Sequence, residues 1–283
     1  MNKNRVTVPA ILGRKNSGKK ILALTAYDYC FARLLDSCEI DIVLVGDSLG
    51  MVSLGYESTL PVTMDEMIHH TRAVRRGINN LLLVGDMPFL SYQVSGETAV
   101  ANAGRFIQEG GAEAVKIEGG ARAAERVHAV VQAGISVMGH VGLTPQSVHQ
   151  FGGYKVQGRS YEDGRQIMKD ARELEKAGAF AVVLEGIPAE LAQEITRELA
   201  VPTIGIGAGP HCDGQILVLQ DLLGLNMDFV PKFVKKFADM GEAVKTAVSD
   251  YAREVQSGSF PSREHSYSAK SEPLRPAVGK RVK

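Results

Sequence analysis

Three stretches of this chain share one design, and that design limits the fold more than any other feature. Ile42-Val43-Leu44-Val45-Gly46-Asp47-Ser48, Leu81-Leu82-Leu83-Val84-Gly85-Asp86 and Glu113-Ala114-Val115-Lys116-Ile117-Glu118-Gly119 are short apolar runs that stop at a carboxylate beside a glycine. Runs of this length without polar alternation read as strands buried on both faces, the pattern of a parallel sheet covered by helices. In a closed parallel barrel the carboxyl ends of all strands open onto one face, where active sites lie, so the three acids would gather there.

Further apolar runs at residues 21–25, 135–140, 178–186 and 202–209, with a weaker one at 215–220, bring the count to roughly eight. Helical patterns separate them: one through Phe31, Leu34 and Leu35, one from Thr63-Met64-Asp65-Glu66 to Gly77, and others over 98–109, 121–132, 163–177, 191–199 and 233–255. Eight strands alternating with helices predict a single (β/α)8 barrel, an α/β fold, over residues 1–255. The glycines of 50–56 suit a loop lying over a site, and 91–97 reads as a polar loop. Residues 141–160 are too irregular for an element, and loops of that length in compact domains are usually functional or mobile. Residues 256–283, with Lys270, Arg275, Lys280, Arg281 and Lys283, are expected to form a disordered basic tail.

Lys plus Arg and Asp plus Glu both number 32, a formal net charge of zero, so nothing in the overall charge favours nucleic acid or an anionic membrane. Cys30, Cys38 and Cys212 are odd in number and lack a CxxC pair, which predicts small buried hydrophobes in a reducing compartment. The amino terminus lacks the apolar core of a signal peptide, and no run reaches membrane-spanning length, so a cytoplasmic soluble protein is expected.

Asp47 and Asp86 both follow Val-Gly, and either alone could be a turn or helix-cap aspartate. As a pair aimed into one mouth they need a cation between them or a shifted pKa. The absence of a zinc-like His/Cys pattern makes that cation Mg2+ or a relative, with Glu118 as a third acid reaching it directly or through water. Glu118 could instead pair with Lys116, two residues back on the same strand face. Lys116 at a strand end asks for an anion, which a bound carboxylate would supply. His140 reads equally as a ligand contact or a hydrogen-bonded structural histidine, and Glu185, across the mouth, suits proton transfer or is a solvated acid of the rim. Gly205-Ile206-Gly207-Ala208-Gly209 lacks the context of a dinucleotide site, so close backbone approach beside a substrate is expected there.

Several stretches together resemble the ketopantoate hydroxymethyltransferase family. They are Thr25-Ala26-Tyr27-Asp28, Val45-Gly46-Asp47-Ser48-Leu49-Gly50-Met51-Val52, Gly85-Asp86-Met87-Pro88-Phe89, Val115-Lys116-Ile117-Glu118-Gly119, Gly139-His140-Val141-Gly142-Leu143-Thr144-Pro145-Gln146, Leu184-Glu185 and the 205–209 glycines. The resemblance implies a TIM barrel of the phosphoenolpyruvate/pyruvate-binding type. It also implies transfer of a one-carbon unit from 5,10-methylenetetrahydrofolate to α-ketoisovalerate, giving ketopantoate for pantothenate and coenzyme A. It further implies one Mg2+ per subunit at Asp47 and Asp86 with Glu118 assisting. By the same resemblance the keto acid is bound at Asp47, Ser48, Asp86, Lys116 and His140, Glu185 is the base, and the enzyme is a cytoplasmic homo-oligomer, often a decamer.

On this reading the keto acid chelates Mg2+, the cation stabilises the enolate, and the enolate takes the one-carbon unit. Two rivals remain. Barrels of the phosphoenolpyruvate mutase and isocitrate lyase kind use Mg2+ and a keto acid enolate without folate, and a barrel that has lost turnover would only bind the keto acid.

Overall fold

The computed structural model describes residues 5–226 and 230–268. Eight strands close a barrel in sequence order: β1 (Ile21–Thr25), β2 (Ile42–Val45), β3 (Leu82–Asp86), β4 (Ala114–Glu118), β5 (Ser136–Gly142), β6 (Ala181–Glu185), β7 (Thr203–Ile206) and β8 (Gly214–Leu217). Each neighbouring pair is parallel, and β8 returns to β1 through the register Ile21↔Gly214 to Leu24↔Leu217.

The helices are α1 (Val8–Leu12), α2 (Tyr29–Asp36), α3 (Leu49–Val52), α4 (Met64–Gly77), α5 (Gly96–Gln108), α6 (Ala124–Gln132), α7 (Val148–Phe151), α8 (Tyr161–Lys176), α9 (Ala189–Glu198), α10 (Leu219–Leu222) and α11 (Met240–Ser257). Their starts follow local chemistry. The carboxylate of Asp28 accepts from the Phe31 N–H, and Thr63 with Glu66 forms a reciprocal capping box. Ser95 and Ser160 open α5 and α8 by accepting from Thr98 and Asp163.

Side chains alternate across the strands and so build two cores. Ile42, Leu44, Leu82, Val84, Ala114, Met138, Ala181 and Val183 fill the barrel, joined by Ile11 of α1. Val43, Val45, Leu83, Val115, Ile117, Val182 and Leu184 instead meet the surrounding helices, among them Phe106 of α5 and Leu174 of α8. The interior is therefore packed solid below the mouth.

Some expectations for the connections fail. Residues 50–56 are not wholly loop, because Leu49–Val52 forms a helical turn. The 141–160 stretch carries the end of β5, a 3-10 turn at Pro145–Ser147 and α7. A helix was expected over 233–255, whereas α11 begins at Met240 and ends at Ser257. Beyond it a 3-10 turn spans Arg263–His265, and Phe260 packs edge-on against Tyr251. The rest of the expected tail, 269–283, lies outside the described residues.

Candidate active site

Inward alternation decides which polar side chains reach the mouth. Asp86 stands two residues beyond Val84, Lys116 and Glu118 continue the row from Ala114, His140 follows Met138, and Glu185 follows Val183. Asp47 arrives differently. The register pairs Val45 with Gly85, so the two Val-Gly-Asp motifs are offset by one residue and are not structurally equivalent. Asp86 ends β3, whereas Asp47 lies beyond the end of β2. The two nevertheless converge, since the Asp47 N–H donates to Asp86 Oδ2 at 3.1 Å.

Around this pair the polar groups are almost fully sequestered, with Asp47, Asp86, Lys116, Glu118 and His140 each at most 5 % exposed. Lys116 Nζ donates to Asp86 Oδ1 at 2.6 Å and stands 3.9 Å from Glu118 Oε2, so its main partner is Asp86 and not Glu118. His140 sits between two carboxylates, Nδ1 at 3.3 Å from Glu118 Oε2 and Nε2 at 3.3 Å from Glu185 Oε2. Both are ion-pair distances without hydrogen-bond alignment. Ser48 is half-buried and shares a 2.8 Å hydrogen bond with the Tyr27 hydroxyl.

These contacts set the charges. Burial, and next the neighbouring Asp86, holds the Asp47 carboxyl well above the usual carboxylate range, outweighing Lys116 and Gln146. Burial alone would lower Lys116, but Asp86, Glu118 and Asp47 push it above its ordinary value. Burial and Lys116 likewise oppose a charged His140, yet Glu118 and Glu185 on its two sides push it up to about 9. Burial would raise Glu118, and the His140 and Lys116 side chains bring it below its ordinary value.

Four further residues belong to the site. Gln146 fills every position of its amide: Nε2 donates to Asp47 Oδ2 at 3.0 Å and to the Met87 carbonyl, while Oε1 accepts from Tyr92 and Gln93. Its backbone N–H donates to Glu118 Oε1 at 2.8 Å, so one residue ties Asp47 to Glu118. The single O–H of the buried Tyr92 is shared between Gln146 Oε1 at 2.9 Å and the Glu118 carbonyl at 3.0 Å. Tyr27 backs Ser48. The exposed Tyr154 has its phenol raised by partial burial and then by Asp47, Glu185 and Glu118, and it donates to Met51 Sδ at 3.5 Å. Tyr154 thereby joins the 141–160 stretch to α3 across the mouth. Tyr27 and Gln146 lay inside the motifs read from sequence, but nothing in their spacing assigned them a role.

Two minor expectations are corrected. A Cβ on Gly205 would fall 2.9 Å from Cys212 Sγ, one on Gly207 2.7 Å from the Phe233 ring, and one on Gly209 2.4 Å from Ala189 Cβ. The glycines admit neighbouring protein atoms, so substrate is not needed to explain them. Only Cys212 is buried; Cys30 and Cys38 are exposed.

Comparison with known proteins identifies relatives of the chain. The model of a family described as ketopantoate hydroxymethyltransferase matches residues 5–263, which carries the match past Val255 into the stretch expected as tail. A protein of Syntrophus aciditrophicus (strain SB), named 3-methyl-2-oxobutanoate hydroxymethyltransferase, is 59% identical over 263 residues, covering 93% of this chain and 97% of its own length. One of the same name from Clostridium novyi (strain NT) is 59% identical over 261 residues, covering 92% of this chain and 95% of its own. Among solved structures, 2,3-dimethylmalate lyase, a PEP mutase/isocitrate lyase superfamily member, aligns with a TM-score of 0.60 at 18% identity over 92% of this chain and 91% of that one. Phosphonopyruvate hydrolase in complex with oxalate and Mg++ aligns with a TM-score of 0.60 at 13% identity over 91% of this chain and 92% of that one. At those identities the two structures speak for the barrel fold alone.

Proposed function

The chain belongs to the ketopantoate hydroxymethyltransferase family and is a hydroxymethyltransferase, and from that premise we propose that it moves a one-carbon unit from 5,10-methylenetetrahydrofolate to α-ketoisovalerate, producing ketopantoate for pantothenate and coenzyme A. The net reaction consumes one water: the donor leaves as tetrahydrofolate, and the acceptor exchanges a C–H for a C–CH2OH. The observation that carries this reading is the buried cluster at the mouth, where Asp47, Asp86 and Glu118 gather beside Lys116 and His140. A small acid with two oxygens and an enolisable carbon is the ligand such a site fits.

Magnesium suits the donor set. The acids offer only oxygen, and Asp47 is held protonated-prone by burial and Asp86, a cost that a cation removes. Among the described residues no three His, Cys, Asp or Glu side chains form a group that could hold a metal ion. Asp47 and Asp86 would therefore hold it with ligand and water oxygens, as magnesium prefers, and Glu118 would assist through water. When bound, the ion supplies Lewis-acid polarisation of the keto acid's carbonyl.

The chain's own groups do the rest. Lys116, fixed by Asp86, places a permanent positive charge beside the substrate's anionic end. Ser48, braced by Tyr27, offers a hydroxyl to the same ligand. Glu185 is the most exposed acid of the group, its side chain 17 % accessible, so it can meet a substrate carbon. It takes the proton from the carbon next to the carbonyl, while His140 orients its carboxylate. Gln146 fixes the Asp47 carboxylate that would help hold the cation.

The test is hydrogen–deuterium exchange at the β-carbon of α-ketoisovalerate, followed by NMR in deuterated buffer. Glu185→Gln should retain the keto acid while slowing exchange by about 100-fold or more, the usual worth of a general base. Exchange at the parent rate removes Glu185 from that role. Ketopantoate formed only when methylenetetrahydrofolate is supplied separates this reading from the mutase and lyase class.

The same reading makes the enzyme a cytoplasmic homo-oligomer, decameric in the form that the resemblance implies. Support for self-association comes from α11, which buries only Gly241 and exposes Met240, Val244, Val248, Tyr251 and Val255 along one stripe.

A further inference from the structure

Two cavities of nearly equal size border the mouth, about 420 Å3 and about 400 Å3, both in the range of ordinary ligand sites. Volume does not distinguish them, but position and charge do. The first contains Glu118, Tyr92 and Gln146 in its wall, so its inner end opens onto the acid cluster. The second touches none of the seven residues assigned to metal, substrate or proton transfer.

The charges are opposite in tendency. At the first cavity stand Arg122, Arg126 and His149, and its one acid, Glu118, is turned to its own partners, accepting from the Gln146 N–H at 2.8 Å and facing His140 at 3.3 Å. The second shares Arg122 but adds Asp163 and Asp170. An anionic ligand is therefore favoured in the first and opposed in the second. Arg122 is held by a 3.2 Å hydrogen bond from Nη1 to Gln150 Oε1. Among the described residues Arg126 pairs with Glu125 at 3.1 Å, whose side chain is 86 % accessible and easily replaced by an incoming carboxylate.

We propose that the first cavity seats the reduced folate, its pterin end inward between Phe89 and Gln93, and its glutamyl tail outward on Arg122 and Arg126. This rests on the reading that the carbon donor is a folate. The orientation follows from reach: the methylene must come within about 3–3.5 Å of the keto acid carbon, which only the end beside Glu118 permits. Phe89 gives the flat ring an apolar face, and the Gln93 amide gives its edge a donor and an acceptor. Paired guanidinium groups then match the tail's carboxylates.

Calorimetric titration of the whole, magnesium-loaded protein tests this with two probes, tetrahydrofolate and 6-methyltetrahydropterin, the second lacking the benzoylglutamate. Arg122→Ala/Arg126→Ala should weaken tetrahydrofolate about tenfold or more, as loss of charge-assisted hydrogen bonds predicts, while leaving the pterin probe unchanged. Phe89→Ala should weaken both probes. Asp163→Ala/Gln166→Ala, in the second cavity, should weaken neither. Parent-like tetrahydrofolate binding in the arginine pair, equal loss of both probes there, or loss in the second-cavity pair overturns the placement while the parent still binds folate. A parent protein that binds neither probe and makes ketopantoate only from free formaldehyde overturns the folate reading, and the placement with it.

Discussion

At the residue scale the organising fact is that Asp47, Asp86 and Glu118 are withdrawn from water. Asp47 keeps its proton to higher pH than a free carboxyl because burial and Asp86 both disfavour its charge. A cation binding there must displace that proton. The sign follows: affinity for magnesium falls as pH is lowered through the raised Asp47 pKa, and in that range each ion bound releases up to about one proton. Calorimetry in two buffers of different ionisation enthalpy measures the release, and Asp47→Asn should abolish it together with most of the affinity. Binding without proton release across the acid range would mean that Asp47 is already ionised. Gln146 shows what single-residue reading misses. Its role comes from four side-chain partners and one backbone bond that converge from distant parts of the chain, and no spacing encodes them.

At the level of elements, the Val-Gly-Asp signature contains two instructions. On β3 the acid faces the mouth while the glycine faces outward, where a Cβ would lie 2.3 Å from the Phe106 ring of α5. Gly139, before His140, does the same for Leu174 of α8, with a Cβ at 2.8 Å. The glycine thus lets a helix sit close against the strand end that carries the functional group. Gly85→Ala should cost about 1–3 kcal/mol in denaturant unfolding, the usual range for overpacking. Adding Phe106→Leu should return part of that loss. An unchanged midpoint for Gly85→Ala would show that α5 can shift outward without strain. The strands and long helices were legible because buried parallel strands are continuous apolar runs and because Thr63 with Glu66 marks a helix start, whereas the caps Ser95 and Ser160 read as loop, so α5 and α8 are expected to begin at Thr98 and Asp163, two residues late. The one-turn helices Leu49–Val52 and Val148–Phe151 were not, since four residues hold little more than one period of a helical pattern.

For the molecule as a whole, the uneven coverage of α11 is the remaining consequence. Most other long helices bury an apolar face against the barrel, as α4 does through Met67, Ile68, Thr71, Val74 and Gly77. Helix α11 exposes its own stripe. If that stripe meets another copy, Val244→Glu/Val248→Glu should lower the mass measured by light scattering without lowering the protomer's helix content. A parent-sized assembly from this variant would move the interface elsewhere.

The sequence by itself determined the barrel, the strand count, and the identity of the acids, lysine and histidine at the strand ends. These are written locally, in apolar runs and their terminating residues. Only the tertiary structure decided that the two Val-Gly-Asp motifs are out of register, that Lys116 chooses Asp86, that His140 stands between Glu118 and Glu185, and that Gln146 joins Asp47 to Glu118. Such pairings join residues that mostly lie tens of positions apart, and their energies depend on the burial that closure of the barrel imposes on all of them at once.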